Sequence, residues 1–432
     1  MYNSVAIYYK WGDTRVDRCK GTRDLTVDEM TRFRLIEELF REHCLKWGYQ
    51  EIRTPTIEYL HLFTSVGTLT PGMLSKVYSF LDWDGWSGER VVLKPDGTIP
   101  VARYYTEYMA DKEMARLFYV TKVFIFEPTG KESRERWQCG VELIGVSSSL
   151  ADTELLLLAR EVLSGLGLKN MELRLSHAGL IRTILAGLGL SPGEQAKMFD
   201  RILDGDLAAL AELKKTHPGS GKALASLLES AGKSAGFLKN LKAQFVNHLP
   251  ELGAPLDDFI STVSLLDELG YDYVIDIASG RGFEYYTGLI FQFFIGDEKI
   301  GAGGRYDALI SLVGGEDVPA SGFALYLDPL IKMISPVAVT QSQLRKTLVR
   351  VSPGVAREGI SLLGEMHAAG YPAELGLGDN SPASYRWTIN VRDGSPRFIL
   401  TDAARQKSLE VETAVEILKI IGAESDNKDS ST

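Results

Sequence analysis

The sequence predicts an α+β fold: antiparallel strands flanked by helices, a helical insertion, and a small α/β domain near the C-terminal end. Three observations predict it. LFYVTKVFIFEP and ERWQCGVELIGV, both rich in aromatic and β-branched residues, stand on either side of the polar segment TGKESRER, as the arms of an antiparallel hairpin do. From about Gly179 to Leu266 leucine and alanine dominate, apolar residues recur at spacings of three and four, and Pro192, Pro218 and Pro250 punctuate the run. After VAVTQSQ (337–343), read as a linker, strand-like and helix-like segments alternate.

The elements follow in order. Phe33, Ile36, Phe40 and Trp47 form one apolar stripe, which predicts a helix over Val27–Lys46. Thr26 caps it, with Glu29 as capping-box partner, and Gly48 stops it. GYQEIRTPTIEY reads as a strand ending at Pro55. ERVVLKPDGT is a strand running into a helix near Ile99, and the hairpin described above comes next. A helix over Ala151–Gly165 and a strand over Met171–Leu175 lead into the helical stretch. Strands return with YDYVIDIAS, GFEYYTGLIFQFFIG and VPASGFALYLD, with GAGGRYD between the last two as a glycine-rich turn. The middle strand alternates Phe283, Tyr285, Thr287, Leu289, Phe291 and Phe293 on one face with Glu284, Tyr286, Gly288, Ile290 and Gln292 on the other. Beyond the linker come LVRV, the helix AREGISLLGEMHAAG, AELGL, WTINV, RFIL and the closing helix VETAVEILKII. The polar AESDNKDSST (423–432) reads as a disordered tail.

Composition narrows the function. The 432 residues carry a net charge of −10, which gives no overall pull toward nucleic acid or anionic membrane. No apolar run reaches the ~18 residues of a membrane span, and the N-terminal stretch does not read as a signal peptide. Cys19, Cys44 and Cys139 are far apart, so neither a disulfide framework nor a cysteine-rich zinc site is expected. The six histidines show no ligand spacing, and no metal or cofactor is predicted. The expectation is a cytosolic protein without membrane contact.

No local catalytic signature such as GxxxxGK[ST], GxSxG or HExxH occurs. Polar residues set into apolar strands are more informative. Asp96 and Thr98 follow VVL, while Gln138 and Glu142 share one strand face, Glu142 among Val141, Leu143 and Ile144. Arg281, Glu284, Tyr286 and Gln292 flank the aromatic strand. Brought together, they would suit a zwitterion: carboxylates for an ammonium, Arg281 for a carboxylate, a carboxylate and Tyr286 for a ring N–H. From spacing alone, solvated strand faces account for them more simply.

KGTRD (20–24), LKPDGT (93–98), WQCGVELIG (137–145), RGFEYYTG (281–288), GAGGRYD (301–307) and GFALYLD (322–328) stand in the order of the core motifs of histidine–tRNA ligases. The chain resembles still more closely the regulatory subunits of ATP phosphoribosyltransferase, which are paralogues of those ligases. The likeness spans roughly Lys20 to Lys332, with a weaker echo of the ligase anticodon-binding domain over Leu344–Gly422. It implies a class II aminoacyl-tRNA synthetase-like domain over 20–335, an N-terminal extension over 1–19, a C-terminal α/β domain over 344–422, and dimerisation through the first helix and the strand after it. It also implies a histidine site. Asp96, Thr98 and Gln138 would hold the ammonium, Glu142 and Tyr286 the imidazole, and Arg281 the carboxylate, with Tyr285 and Tyr306 lining the site. Asp96 stands where ligases usually carry glutamate.

The departures from the ligases point to the function. The arginine that meets the ATP α-phosphate in class II ligases is here Ile125, and the second ATP arginine is here Pro329. Losing one charge-stabilising donor of this kind slows chemistry by about 10²–10³, and neither isoleucine nor proline can meet a phosphate. Residues 344–432 hold 11 Lys+Arg against 12 Asp+Glu, which gives no general attraction for tRNA. The resemblance therefore implies a non-catalytic regulatory subunit. It would assemble as a homodimer with a short catalytic ATP phosphoribosyltransferase at the first step of histidine synthesis and sense histidine there. The alternatives are a working histidine–tRNA ligase, a ligase for another amino acid, and a tRNA-sensing module.

Overall fold

The computed structural model describes residues 17–66, 74, 76–83, 88–203, 206–279, 285–335, 347–378 and 385–429. The chain divides into two compact units at Ile334/Ser335. Most of the proposed N-terminal extension, the linker 337–343, and Arg281, Phe283 and Glu284 lie outside the described residues.

In the first unit the opening helix runs Val27–Lys46, with both halves of the Thr26/Glu29 capping box formed. It buries Phe33, Ile36, Phe40 and Cys44. Gly48 stops it in the left-handed region (φ +80°), where the Tyr49 N–H reaches back to the Cys44 carbonyl at 2.9 Å. The segment expected as one strand up to Pro55 is two short ones, β1 (Gln50–Glu51) and β2 (Ile57–Tyr59). Pro55 has no N–H to continue a ladder, so the chain changes sheets there.

β2, β3 (Ser79–Trp83) and β4 (Gly88–Leu93) form a small antiparallel sheet in the order β2-β4-β3. The main sheet adds β5 (Ala115–Phe124), β6 (Glu135–Ile144), β7 (Met171–His177), β8 (Ala231–Gly232), β9 (Val274–Asp276), β10 (Leu289–Ile295), β11 (Glu298–Arg305) and β12 (Ala320–Tyr326). Its order is β1-β5-β6-β12-β11-β10-β7-β9-β8. The β1–β5 and β7–β9 pairs are parallel, and the others are antiparallel. β5 and β6 pair over their full length around the polar loop. Helices Ser149–Gly165 and Thr98–Tyr108 pack on this sheet, and the stretch from Ala178 to Glu268 is mostly helical. Among the described residues no helix is long and apolar enough to cross a membrane.

Two strand expectations are corrected. The long aromatic strand starts at Leu289, because the Thr287 and Gly288 N–H groups both turn onto the Arg305 carbonyl (2.8 and 3.3 Å). GAGGRYD is not a turn: Gly301, Gly303 and Gly304 lie inside β11, and the turn before it is at Gly296 (φ +58°). These strand glycines serve close packing. A Cβ on Gly303 would fall 2.5 Å from the Phe291 ring.

The second unit has a five-stranded sheet in the order β14-β13-β15-β16-β17, from β13 (Thr347–Val351), β14 (Ala373–Leu375), β15 (Trp387–Val391), β16 (Phe398–Asp402) and β17 (Lys407–Val411). Helix Ala356–Ala368 and the closing helix pack on it around Val349, Leu362, Met366, Ile389, Leu400 and Ile417. β17 was not anticipated from the sequence. The closing helix runs Ala414–Asp429, into the stretch expected as a tail.

Candidate functional site

Period-two alternation along β6 puts Arg136, Gln138, Gly140 and Glu142 on one face. Register then fixes their neighbours. Glu142 lies opposite Leu117 on β5 and Gly322 on β12, and Gly322 lies opposite Gly304 on β11. The floor beneath Glu142 is therefore made of glycine. A Cβ on Gly322 would sit 1.9 Å from the Glu142 carboxylate, and one on Gly304 would sit 3.0 Å from the Tyr286 ring. On the other side Gly97 and Gly140 make room for Tyr119: a Cβ on Gly97 would fall 2.6 Å from its hydroxyl, and one on Gly140 2.2 Å from its ring.

Glu142 is buried and takes three hydroxyl donors. Thr98 donates to Oε1 at 2.8 Å, Tyr119 donates to the same oxygen at 3.1 Å, and Tyr306 donates to Oε2. Burial pushes its carboxyl up to about 8 despite those hydrogen bonds, and nearby Asp96 pushes the same way. Asp96 opens the helix Thr98–Tyr108: its Oδ1 accepts the Ile99 N–H at 2.8 Å and its Oδ2 the Tyr285 hydroxyl at 3.3 Å. Burial raises the Asp96 carboxyl as well. The rings of Tyr285 and Tyr286 meet edge to face at 5.3 Å, and Tyr285 meets Tyr306 at 5.6 Å. Burial holds all three phenols neutral, well above their ordinary range.

The structure thus joins Asp96, Thr98, Glu142, Tyr285, Tyr286 and Tyr306 in one cluster. Strand alternation had set the two consecutive tyrosines on opposite faces. They converge because the chain leaves the ladder before Leu289. Gln138 stands on the same face as Glu142, opposite Thr121 and Tyr326. Arg281 lies outside the described residues.

Two participants were missed from sequence. Tyr119 looks from sequence like one more aromatic in a strand; the β5–β6 register sets it opposite Gly140, from where its hydroxyl reaches Glu142 at 3.1 Å. Lys94 is fully buried, with Nζ donating to the Thr54 hydroxyl at 2.9 Å and carbonyl at 3.3 Å. Burial pushes it down to about 8, while Glu58 and Asp96 act in the opposite direction. No local pattern marks a lysine as interior, so it carried no signal.

Ile125 follows β5 and donates its N–H to the Arg134 carbonyl at 3.0 Å, and Pro329 is buried in the helix Leu327–Met333. The two loop arginines have local partners. Arg134 Nε donates to the Glu127 carbonyl with its guanidinium over Phe126, and Arg136 pairs with Glu132. Among the described residues no group of His, Cys, Asp or Glu could hold a metal ion. The cluster has the chemistry to bind a small molecule carrying an ammonium and a ring N–H donor: two carboxyls, hydroxyls and aromatic walls.

This fold, an antiparallel sheet with the polar cluster on one face and a helical insertion after β7, is that of the class II synthetases, and the histidyl-tRNA synthetase domain signature matches residues 21–330. Two Dehalococcoides mccartyi proteins named ATP phosphoribosyltransferase regulatory subunit are each 48% identical over 411 residues, covering 95% of this chain and 100% of their own. The histidine–tRNA ligase of Methanosarcina acetivorans is 33% identical over 384 residues, covering 87% of this chain and 89% of its own. A Bacillus halodurans crystal structure, described as an ATP phosphoribosyltransferase regulatory subunit/histidyl-tRNA synthetase, superposes with a TM-score of 0.74 at 22% identity, covering 89% of this chain and 100% of that one. The chain belongs to the histidyl-tRNA synthetase-like family of ATP phosphoribosyltransferase regulatory subunits.

Proposed function

We propose that this chain is the non-catalytic regulatory subunit of an ATP phosphoribosyltransferase. It activates a short catalytic subunit that condenses ATP with phosphoribosyl pyrophosphate, and it senses histidine, the end product. The observation that carries the sensing role is Glu142, buried and ringed by the hydroxyls of Thr98, Tyr119 and Tyr306 beside the Asp96–Tyr285 pair. Asp96, Thr98 and Gln138 take the ammonium, Glu142 and Tyr286 the imidazole, Arg281 the carboxylate, and Tyr285 and Tyr306 form walls. The glycine floor makes room for the Glu142 carboxylate and the Tyr286 ring themselves. Feedback requires histidine to bind one state of the complex more tightly, with a coupling of about 1–3 kcal/mol.

The absence of adenylation follows from Ile125 and Pro329, which cannot meet phosphate charge. The loop arginines Arg134 and Arg136 have protein partners of their own. A homodimer within the hetero-oligomer is supported by exposed apolar residues on the small sheet, Ile57, Tyr59, Phe80, Leu81 and Trp83. Co-expression with a short phosphoribosyltransferase tests the proposal. The expected result is co-purification, activity that neither chain has alone, and inhibition by histidine. Robust histidine-dependent ATP–pyrophosphate exchange by the isolated chain would overturn it in favour of a ligase.

A further inference from the structure

The walls of the site are fastened from behind by the helical insertion. Helix Ala178–Ala186, the first of the insertion, contacts the tyrosine segment twice. Arg182 Nε donates to the Tyr286 carbonyl at 2.8 Å, and the Ala178 N–H donates to the Gly288 carbonyl at 2.8 Å. The Arg182 guanidinium also lies 4.4 Å from the ring centre of Phe199, on helix Pro192–Leu203 of the insertion. Arg305 makes the second fastening. Its carbonyl accepts the Thr287 and Gly288 N–H groups, and the next residue is Tyr306, a donor to Glu142. Its buried guanidinium, on the opposite face of β11, pairs with Asp152 of helix Ser149–Gly165. It also reaches Asp258 of helix Gly253–Glu268 at 3.2 Å. Asp258 in turn contacts His177 Nε2 at 3.1 Å, at the residue where β7 passes into the insertion.

One residue on each route thus bonds both to the strand-and-turn segment bearing the tyrosines and to insertion helices. We infer that Arg182 and Arg305 are positioning residues that couple the site to the helical insertion, so that ligand occupancy and placement of the insertion form one equilibrium. The inference rests on the reading of the site as a histidine sensor and goes beyond it by naming the part of the molecule that responds. An arginine that orders the tyrosine segment only when the insertion is seated lends the ligand part of the insertion's docking energy, and by reciprocity the ligand stabilises that docking.

The test is hydrogen exchange on the full chain with and without histidine, beside calorimetric binding, for the wild type, Arg182→Met and Arg182→Lys. In the wild type histidine should slow exchange in Ala178–Ala186 and Gly253–Glu268 as well as around Glu142. Arg182→Met should weaken histidine binding about five- to 150-fold and confine the slowing to the sheet. Arg182→Lys, which keeps a donor for the Tyr286 carbonyl, should recover part of both. Should Arg182→Met unfold, Asp258→Ala serves in its place, cutting the Arg305 route. Histidine that binds the wild type but leaves insertion exchange unchanged, or a Met variant with wild-type affinity and exchange, overturns the coupling alone. A wild type that does not bind histidine overturns the sensor reading and the coupling with it.

Discussion

Glu142 carries two tests at the scale of single residues. Burial moves its carboxyl from an ordinary 4.5 up to about 8, so the folded chain keeps a proton that the unfolded chain releases across that interval. The stability this lends is complete below pH 4.5 and is lost as pH rises through 8. Glu142→Gln, neutral at every pH, should therefore flatten the decline between pH 5 and 8 by at least about 1 kcal/mol in urea titrations. Asp152, pushed up to about 7 by burial, leaves a slope of its own in the variant. An unchanged pH profile would mean that Glu142 is ionised in the folded chain. A ring N–H or imidazolium placed on Glu142 favours its ionised form, and in that complex the same substitution removes a charged acceptor, worth about 1.5–3 kcal/mol, so histidine affinity should fall roughly ten- to 150-fold by calorimetry. Gly322→Ala probes the floor. The new Cβ would meet the Glu142 carboxylate at 1.9 Å and the Val141 carbonyl at 2.4 Å, and the carbonyl belongs to a strand held on both sides. Overpacking of this kind costs about 1–3 kcal/mol, read as a lower Tm together with lost histidine binding.

At the scale of elements, the first helix was legible to its ends because cap chemistry is local: Thr26, Glu29 and Gly48 act within a few residues of their own positions. Thr26→Ala should cost about 1 kcal/mol in denaturant titrations, since it leaves the Glu29 N–H without its hydroxyl acceptor. The β5–β6 pair was legible for the same reason, because one polar loop separates two strongly apolar arms. The end of a strand is a different kind of fact. Whether Tyr285 and Tyr286 continue β10 depends on the Arg305 carbonyl, eighteen residues from Thr287, capturing two N–H groups. Alternation cannot foresee this, and it separated two rings that in fact meet edge to face. The glycines of β11 misled in the other direction. Glycine reads as a turn when its neighbours are unknown, and here the neighbours are the Phe291 ring and the adjacent strand β12. Members of the polar cluster were legible where a polar group interrupts an apolar strand, as Glu142 does. They were missed where the side chain suits a strand anyway, as with Tyr119, or where nothing nearby marks burial, as with Lys94.

At the scale of the whole molecule, the two units have separate apolar cores, one around the main sheet and one around Val349, Ile389 and Leu400. Units with separate cores need not unfold together, so scanning calorimetry should resolve two transitions, and histidine should raise only the one belonging to the first unit. A single transition raised as a whole would show the units to be thermodynamically joined. The net charge of −10 and the balanced C-terminal region bear on partner choice. A subunit that works by docking on another protein needs no excess of cations, whereas a tRNA-charging enzyme must neutralise phosphates and lose affinity steeply with salt. Titration with tRNA at 50 and 200 mM salt separates these cases. The expected outcome is no saturable binding at either salt, alongside saturable binding of the short phosphoribosyltransferase. Tight binding at low salt falling about 10³-fold or more at high salt would mean that several arginines and lysines meet a phosphate backbone on one face despite the overall balance. The sequence arithmetic would then have concealed a surface that only the folded arrangement creates.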